Sequence, residues 1–351
     1  MLFFVTGSPS GPANFGLAAT RAIAESRFGE ADFAKVTTFE QFEKAYKARK
    51  AEAFVVSLEA PDLRIAQVLQ RAGAKPAFFE ESFETTVGFL LAGAKPLDFR
   101  NAVRRTSRWV ASSAMLLAME CAFRFPQPEH DTRLLSFLQN LSLFYGIDPE
   151  TELIEQAAAR LGVRELTPRT LLHTEMCAKF PRAAHGQAAL EALPSYERSL
   201  LLKLAEGYDN LLGGDPVATC SWPPGFLVDA VTKEDYFRSP IEMLGPARRL
   251  TFGPYLHLPP GQWLFTAIIE VWDNASGNLV NVRARVGKQV NAAIAVQLPA
   301  RAKQAVALPV TVEDPHHAIE VYFDMKEGAI EGRFAVHSLQ IIRQDRSESP
   351  V

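Results

Sequence analysis

The chain has 351 residues, of which 48% are hydrophobic and 22% charged, and its formal net charge is −3. That length exceeds one ordinary core and suggests two or three domains. The charge balance removes the electrostatic case for nucleic acid as a main partner, and no apolar run reaches the roughly 18 to 20 residues that span a bilayer. The best such run, Trp109 to Phe123, is interrupted by Ser112, Ser113 and Glu120 and reads as a buried helix. Met1 to Thr6 has no basic region and is too short for a secretory signal, so a cytoplasmic location is expected. Cys121, Cys177 and Cys220 lie far apart and form no CxxC pair, as expected of reduced core residues.

Three textures follow one another. In residues 1–98, apolar runs alternate with amphipathic stretches. LFFV (Leu2 to Val5), Ala34 to Val36, AFVVSL (Ala53 to Leu58) and PAFFE (Pro76 to Glu80) read as strands. Phe15 to Phe28, Phe39 to Ala48 and Pro61 to Ala72 read as helices between them. This alternation predicts a parallel sheet with right-handed crossovers. Residues 99–215 show helical periods and no convincing strand, with one long helix over Phe99 to Phe123, and read as a helical extension packed on the α/β domain. A Pro/Trp-rich linker is read at 216–249. From Leu250 to about residue 345, apolar and polar residues alternate between turn signals such as Pro259-Pro260-Gly261 and Ser276-Gly277-Asn278. That pattern predicts an antiparallel, jelly-roll-like β-sandwich. The fold class expected is therefore multidomain: a three-layer α/β domain with a helical extension, then a β-sandwich. The last residues are polar and read as a frayed tail.

The first loop, Thr6-Gly7-Ser8-Pro9-Ser10-Gly11, stands where a phosphate-binding loop sits in nucleotide-handling α/β proteins. Such a loop aims backbone N–H groups and a helix N-terminus at the phosphate. It normally adds a Lys and a Ser or Thr in the order GxxxxGK[ST]. Here the glycines are four apart, no Lys follows, and Pro12 has no N–H to donate. The stretch resembles the TGSPRSGT opening of sulfotransferases that use a phosphosulfate nucleotide donor, but lacks its basic residue, is one residue shorter, and has Pro12 in place of the Thr. The resemblance implies a P-loop-like domain with a degenerate nucleotide site. That family grips the 3′-phosphate with an Arg and a Ser. The matching candidates are Arg104, Arg105 and Ser112, with Gly7, Ser8, Ser10 and Gly11 in the loop. Arg100, Arg104, Arg105 and Arg108 put at least three guanidiniums on one helical face, which is either solvated and paired with acids or turned toward the loop.

None of the seven histidines forms HExxH or another metal spacing, and no GxSxG elbow is present, so no metal is expected and a hydrolase triad has no anchor. His130-Asp131 and His173-Thr174-Glu175 are possible acid–base pairs or simple surface and cap residues. Asp314 with His316 and His317 falls in a predicted turn.

In the sandwich, Trp263, Trp272, Tyr255, Tyr322 and Phe323 lie on or beside strands, and Asp273, Asn274 and Asn278 sit in the turn after Trp272. Flat aromatic faces stack on sugar rings, and Asn or Asp at the rim bonds hydroxyls. Trp272, Asp273, Asn274 and Tyr322 are therefore candidate carbohydrate contacts, against the alternative of core aromatics and turn-forming Asx residues. Phe252 to Val271 also resembles β-sandwich modules of bacterial proteins of surface-glycan synthesis, through its GPY, its LPPG turn and the aromatic that follows.

Two function classes follow. One is a glycan-associated protein of bacterial polysaccharide biosynthesis that has lost nucleotide chemistry, needs no cofactor, and binds carbohydrate or another protein of a glycan pathway. The other is a sulfotransferase-like transferase holding an adenosine 3′,5′-bisphosphate-type nucleotide. The absent Lys favours the first, because that charge stabilises the transferring group. A structural assembly module is the third reading.

Overall fold

Apolar residues occupy both faces of LFFVTG, and the segment forms β1 (Leu2–Gly7), buried from Phe3 onward. The chain continues through α1 (Gly11–Phe28), β2 (Ala31–Val36), α2 (Phe39–Ala48), β3 (Ala53–Leu58), α3 (Leu63–Ala72), β4 (Ala77–Phe79), α4 (Phe83–Leu91), α5 (Phe99–Ala118) and β5 (Phe123–Phe125). Four helices follow: α6 (Leu134–Phe144), α7 (Thr151–Leu161), α8 (Leu172–Lys179) and α9 (Arg182–Glu191). This computed structural model describes residues 1–93, 95–125, 131–213, 219–232, 237 and 239–344. His130, the end of the GGDP stretch, parts of the 216–249 segment and the tail beyond Gln344 lie outside the described residues. The chain divides into two compact units, Met1–Leu193 and Pro194–Val351.

The strands of the first unit form a parallel sheet in the order β2-β3-β1-β4-β5. Alternation along the strands feeds two separate cores. Phe3, Val5, Val55 and Phe79 pack against α1, α6, α7 and α8. Phe4, Phe54, Val56 and Leu58 pack against α2, α3 and the end of α5. Each Phe or Leu so buried stabilises the unit by about 1.5–3 kcal/mol. Two glycines permit close approach to Phe79, Gly7 between β1 and β4 and Gly16 between α1 and the sheet. A Cβ on Gly7 would lie 2.4 Å from the Phe79 carbonyl oxygen, and one on Gly16 would lie 2.2 Å from the Phe79 ring.

Among its described residues, the helical segment read as strand-free contains one strand. The helix expected over Phe99 to Phe123 stops at Ala118, because Glu120 takes a left-handed conformation (φ 54°) and the Cys121 N–H closes back on the Leu116 carbonyl. The chain then pairs Phe123–Phe125 with Ala77–Phe79. A three-residue strand is too short to show a period of two, and its aromatics read equally well as helical.

The second unit begins with α10 (Ser195–Gly213), followed by β6 (Thr219–Trp222), a 3₁₀ turn at Pro224–Phe226, β7 (Val228–Asp229) and β8 (Ile241–Glu242). Then come β9 (Arg249–Leu256), β10 (Gly261–Trp272), β11 (Leu279–Val286), β12 (Gln289–Gln297), β13 (Ala302–Val312), β14 (Ile319–Met325) and β15 (Arg333–Gln344). One sheet runs β13-β10-β15-β6, with β8 also on β15, and the other runs β12-β11-β14-β9-β7. Among its described residues, the segment read as a linker at 216–249 therefore supplies β6, β7 and β8. β6 pairs along Leu339 to Ile342, and its Trp222, wholly buried, meets Phe265 edge-on. The Pro-rich composition of CSWPPG hid these strands, because a two- to four-residue edge strand carries no alternation to read. Trp263 and Phe323 are core residues, and the Trp263 Nε1 donates to the Pro259 carbonyl at 3.1 Å.

Gly7→Ala forces β1 and β4 apart. Overpacking of this kind costs about 1–3 kcal/mol, so urea unfolding should show a lower midpoint for this variant; an unchanged midpoint would refute the close approach.

Candidate functional site

The carboxyl ends of β1, β2 and β3 open onto a cavity of about 250 Å³. Its position follows from the topology. β1 leads into α1 on one face of the sheet, whereas the neighbouring β3 leads into α3 on the other. The two connections diverge and leave a crevice, the usual ligand position in open α/β sheets.

Gly7, Ser8 and Pro9 form one wall and Ser57, Leu58 and Glu59 another. Ser8 is fully buried and its Oγ has no hydrogen-bond partner. A buried hydroxyl left unmatched costs about 1–3 kcal/mol, so this atom is suited to a ligand oxygen. The start of α1 offers less than a working phosphate loop. Ser10 caps the helix, its Oγ accepting from the Ala13 N–H at 3.2 Å, and its carbonyl accepts from both the backbone and the side chain of Asn14. Pro12 has no N–H. Of the first-turn donors, that leaves Gly11.

Positive charge comes instead from side chains far apart in sequence. Lys35 at the end of β2, Lys95, Arg105 on α5 and Arg182 at the start of α9 all line the cavity, with Glu59 the acidic residue among its lining. Lys35 and Glu59 pair at 2.8 Å. Because Lys35 and Glu59 are partly exposed, their pairing contributes little to stability. Arg105, Lys95 and Arg182 are exposed. The sulfotransferase resemblance sets Arg104, Arg105 and Ser112 beside the loop; of these, Arg105 lines the cavity. Arg104 is half-buried and accepts the Ser107 hydroxyl on its backbone carbonyl, and Ser112 is fully buried in the helix layer. Neither lines the cavity. Sequence reasoning missed Lys35, Lys95 and Arg182. Only for Lys35 was a signal present, a cation at the end of a predicted strand.

In the sandwich, Trp272 ends β10 half-buried, edge-on to His337 with centroids 6.4 Å apart. His337 Nε2 lies 2.6 Å from the Glu270 carboxylate. Asp273 takes φ 52° and pairs with Arg333 at the surface. Asn274 is fully buried. Its Nδ2 donates to the Leu298 carbonyl at 2.9 Å and its Oδ1 accepts from Asn278 Nδ2 at 2.7 Å. Its amide thus fastens the turn and is not presented at the surface. Tyr322 is 6% exposed. Arg249 lies 4.2 Å over its ring, Phe252 stacks beside it, and its hydroxyl donates to Glu320. Burial, with the Glu320 carboxylate, raises the Tyr322 hydroxyl above its ordinary range, against the lowering effect of Arg285. The guanidinium occupies the face that a sugar ring needs. Trp272 and Asp273 thus stay at the surface, and Asn274 and Tyr322 are inside local networks.

A second cavity, about 530 Å³, lies at one end of the sandwich and is lined by Lys288, Glu313, His316 and His317 among others. The His316 and His317 backbone N–H groups bond to Asp314, which makes Asp314 the organiser of that turn. Among the described residues, no group of three or more His, Cys, Asp or Glu is arranged to hold a metal ion, and no helix is long and apolar enough to cross a membrane. His173 on α8 lies 3.5 Å from the Cys177 sulfur.

Asn274→Ala leaves the Leu298 carbonyl and the Asn278 amide without their partner. The expected loss is about 1–3 kcal/mol, seen as a lower melting temperature; full stability in this variant would mean that the turn does not depend on it.

No family model matches the chain, and no curated protein matches it. Among solved structures, TmCBM61 in complex with β-1,4-galactotriose is 11% identical over 37% of this chain and 90% of its own, with a TM-score of 0.24. The CBM36-1 domain of a multidomain xylanase from the hindgut metagenome of Trinervitermes trinervoides is 11% identical over 33% of this chain and 94% of its own, with a TM-score of 0.22. An arabinose-bound MgGH51 α-L-arabinofuranosidase is 11% identical over 36% of this chain, with a TM-score of 0.23, and the match spans 22% of that enzyme. Similarities of this size assign neither fold nor function to this chain.

Proposed function

We propose that this protein is a glycan-associated binding protein of bacterial polysaccharide biosynthesis. Its N-terminal unit takes a small phosphate- or sulfate-bearing ligand without transferring the group, and its sandwich binds carbohydrate or a partner protein. The observation that carries the reading is the cavity at the ends of β1 and β3, where the unmatched Ser8 hydroxyl sits among Lys35, Lys95, Arg105 and Arg182. Cations around a crevice focus the field on an anion. The same loop argues against transfer, since no Lys follows Gly11 and Pro12 removes a donor at the helix start. Transfer needs charge stabilisation aimed at the moving group, and all four cations stand on exposed side chains outside the loop.

For the sandwich, Trp272 supports the carbohydrate reading. It is half-buried beside the ionic residues Asp273 and Arg333, so part of its ring remains open to a sugar face.

Adenosine 3′,5′-bisphosphate, sulfate and phosphate test the first site by thermal shift. At about 100 times Kd a bound ligand adds about 2.7 kcal/mol of stability. A shift is expected with at least one of them, and Arg105→Ala should weaken it about tenfold or more, the scale of a charged hydrogen bond. No shift with any of the three refutes the anion site. Sulfated acceptor formed from the phosphosulfate donor would instead establish the transferase reading. For the sandwich, a broad glycan array should give hits that Trp272→Ala removes; a blank array counts against carbohydrate binding.

A further inference from the structure

The two sheets of the sandwich end in edges of unequal character. β6 and β7 have four and two residues, too short to template another strand. β13 carries Lys303 and Pro309, two residue types that discourage edge pairing. β12 has neither. Its nine residues, QVNAAIAVQ, include no charge, no proline and no glycine, and Val290 and Ile294 are 56% and 41% exposed. Its backbone pairs with β11. On the other side the Asn291 amide bonds the Thr311 N–H and carbonyl of β13 at 2.7 and 3.0 Å, and beyond it, from residue 292 to 297, that side makes no backbone hydrogen bond among the described residues. A long, uncharged, partly apolar edge is a ready template for a further strand.

We propose that β12 pairs with β12 of a second copy of this chain. The sequence of the strand selects that occupant. A bulge interrupts the ladder near Asn291, and the regular part runs from Ala292 to Gln297. Antiparallel pairing about a two-fold axis at Ile294 sets Ala293 opposite Ala295 and Ala292 opposite Val296, with Ile294 against its own copy. From Ala292 to Val296 every opposed pair is small or apolar, and no like charges meet, a juxtaposition that would oppose pairing. An interface of this kind is isologous and closed, so it stops at two copies. The pairing satisfies the backbone groups of both edges and covers the exposed Ile294. It joins two five-stranded sheets into one continuous sheet.

Sedimentation equilibrium of the full chain across a concentration series tests the idea. The average mass should rise from 38.7 kDa toward twice that value. Ile294→Lys and Ile294→Glu should each remain single chains, and their equimolar mixture should regain the dimer through opposite charges at the axis. Ala295→Lys, at an exposed position, should lower dimer formation without a change in melting temperature measured at low concentration. A single-chain mass at every concentration overturns the proposal, as does a dimer that survives both Ile294 variants. Loss in both variants without recovery on mixing overturns the two-fold arrangement.

Discussion

Phe79 sets how closely both β1 and α1 approach the end of β4. Gly7 lies against the Phe79 carbonyl and Gly16 against the Phe79 ring. That approach holds the end of β1 next to β4 and fixes where α1 begins. The loop between them then has one path, past the end of β3. Ser8 is carried under the rest of the structure by that path, and the crevice opens where the β1 and β3 connections part. A larger residue at either glycine would move the helix, and with it the wall of the cavity.

The N-terminal cavity separates two properties that a working phosphate loop combines. Its position comes from topology, whereas its charge comes from side chains on β2, α5, α9 and the segment after α4. Charges on separate elements attract an anion well enough. They do not follow the motion of a group in transfer as a loop lysine does, since each is tied to its own element and screened by water. Glu59, paired with Lys35, further limits the net field.

Much of this architecture was legible in the sequence, and the limits were physical. β1, β3 and the long sandwich strands announce themselves through burial on both faces or strict alternation. β5, β6, β7 and β8 do not, because two to four residues are too few to define a period, and their pairing is decided by β4, β9 and β15. Arg105 was visible through helical spacing, although Arg104 and Ser112 share the helix and do not line the cavity. Lys95 and Arg182 were not visible, because nothing local marks a surface cation that only the fold brings to a site. In the sandwich, the Asx residues after Trp272 read equally as sugar contacts or as turn formers. Burial of Asn274, with both ends of its amide engaged, shows that one of them secures the turn.

The strands recruited from 219–242 also bear on how this chain can be divided. β15 is paired on one side by β10 and on the other by β6 and β8, and β9 is covered by β7. A fragment opened at Leu250, where alternation begins in the sequence, would strip β15 of both strands on one side, β6 and β8, and uncover the site of Trp222. The natural unit of expression, or of recombination with other domains, therefore starts near Pro194, well upstream of the first strand that looks like one.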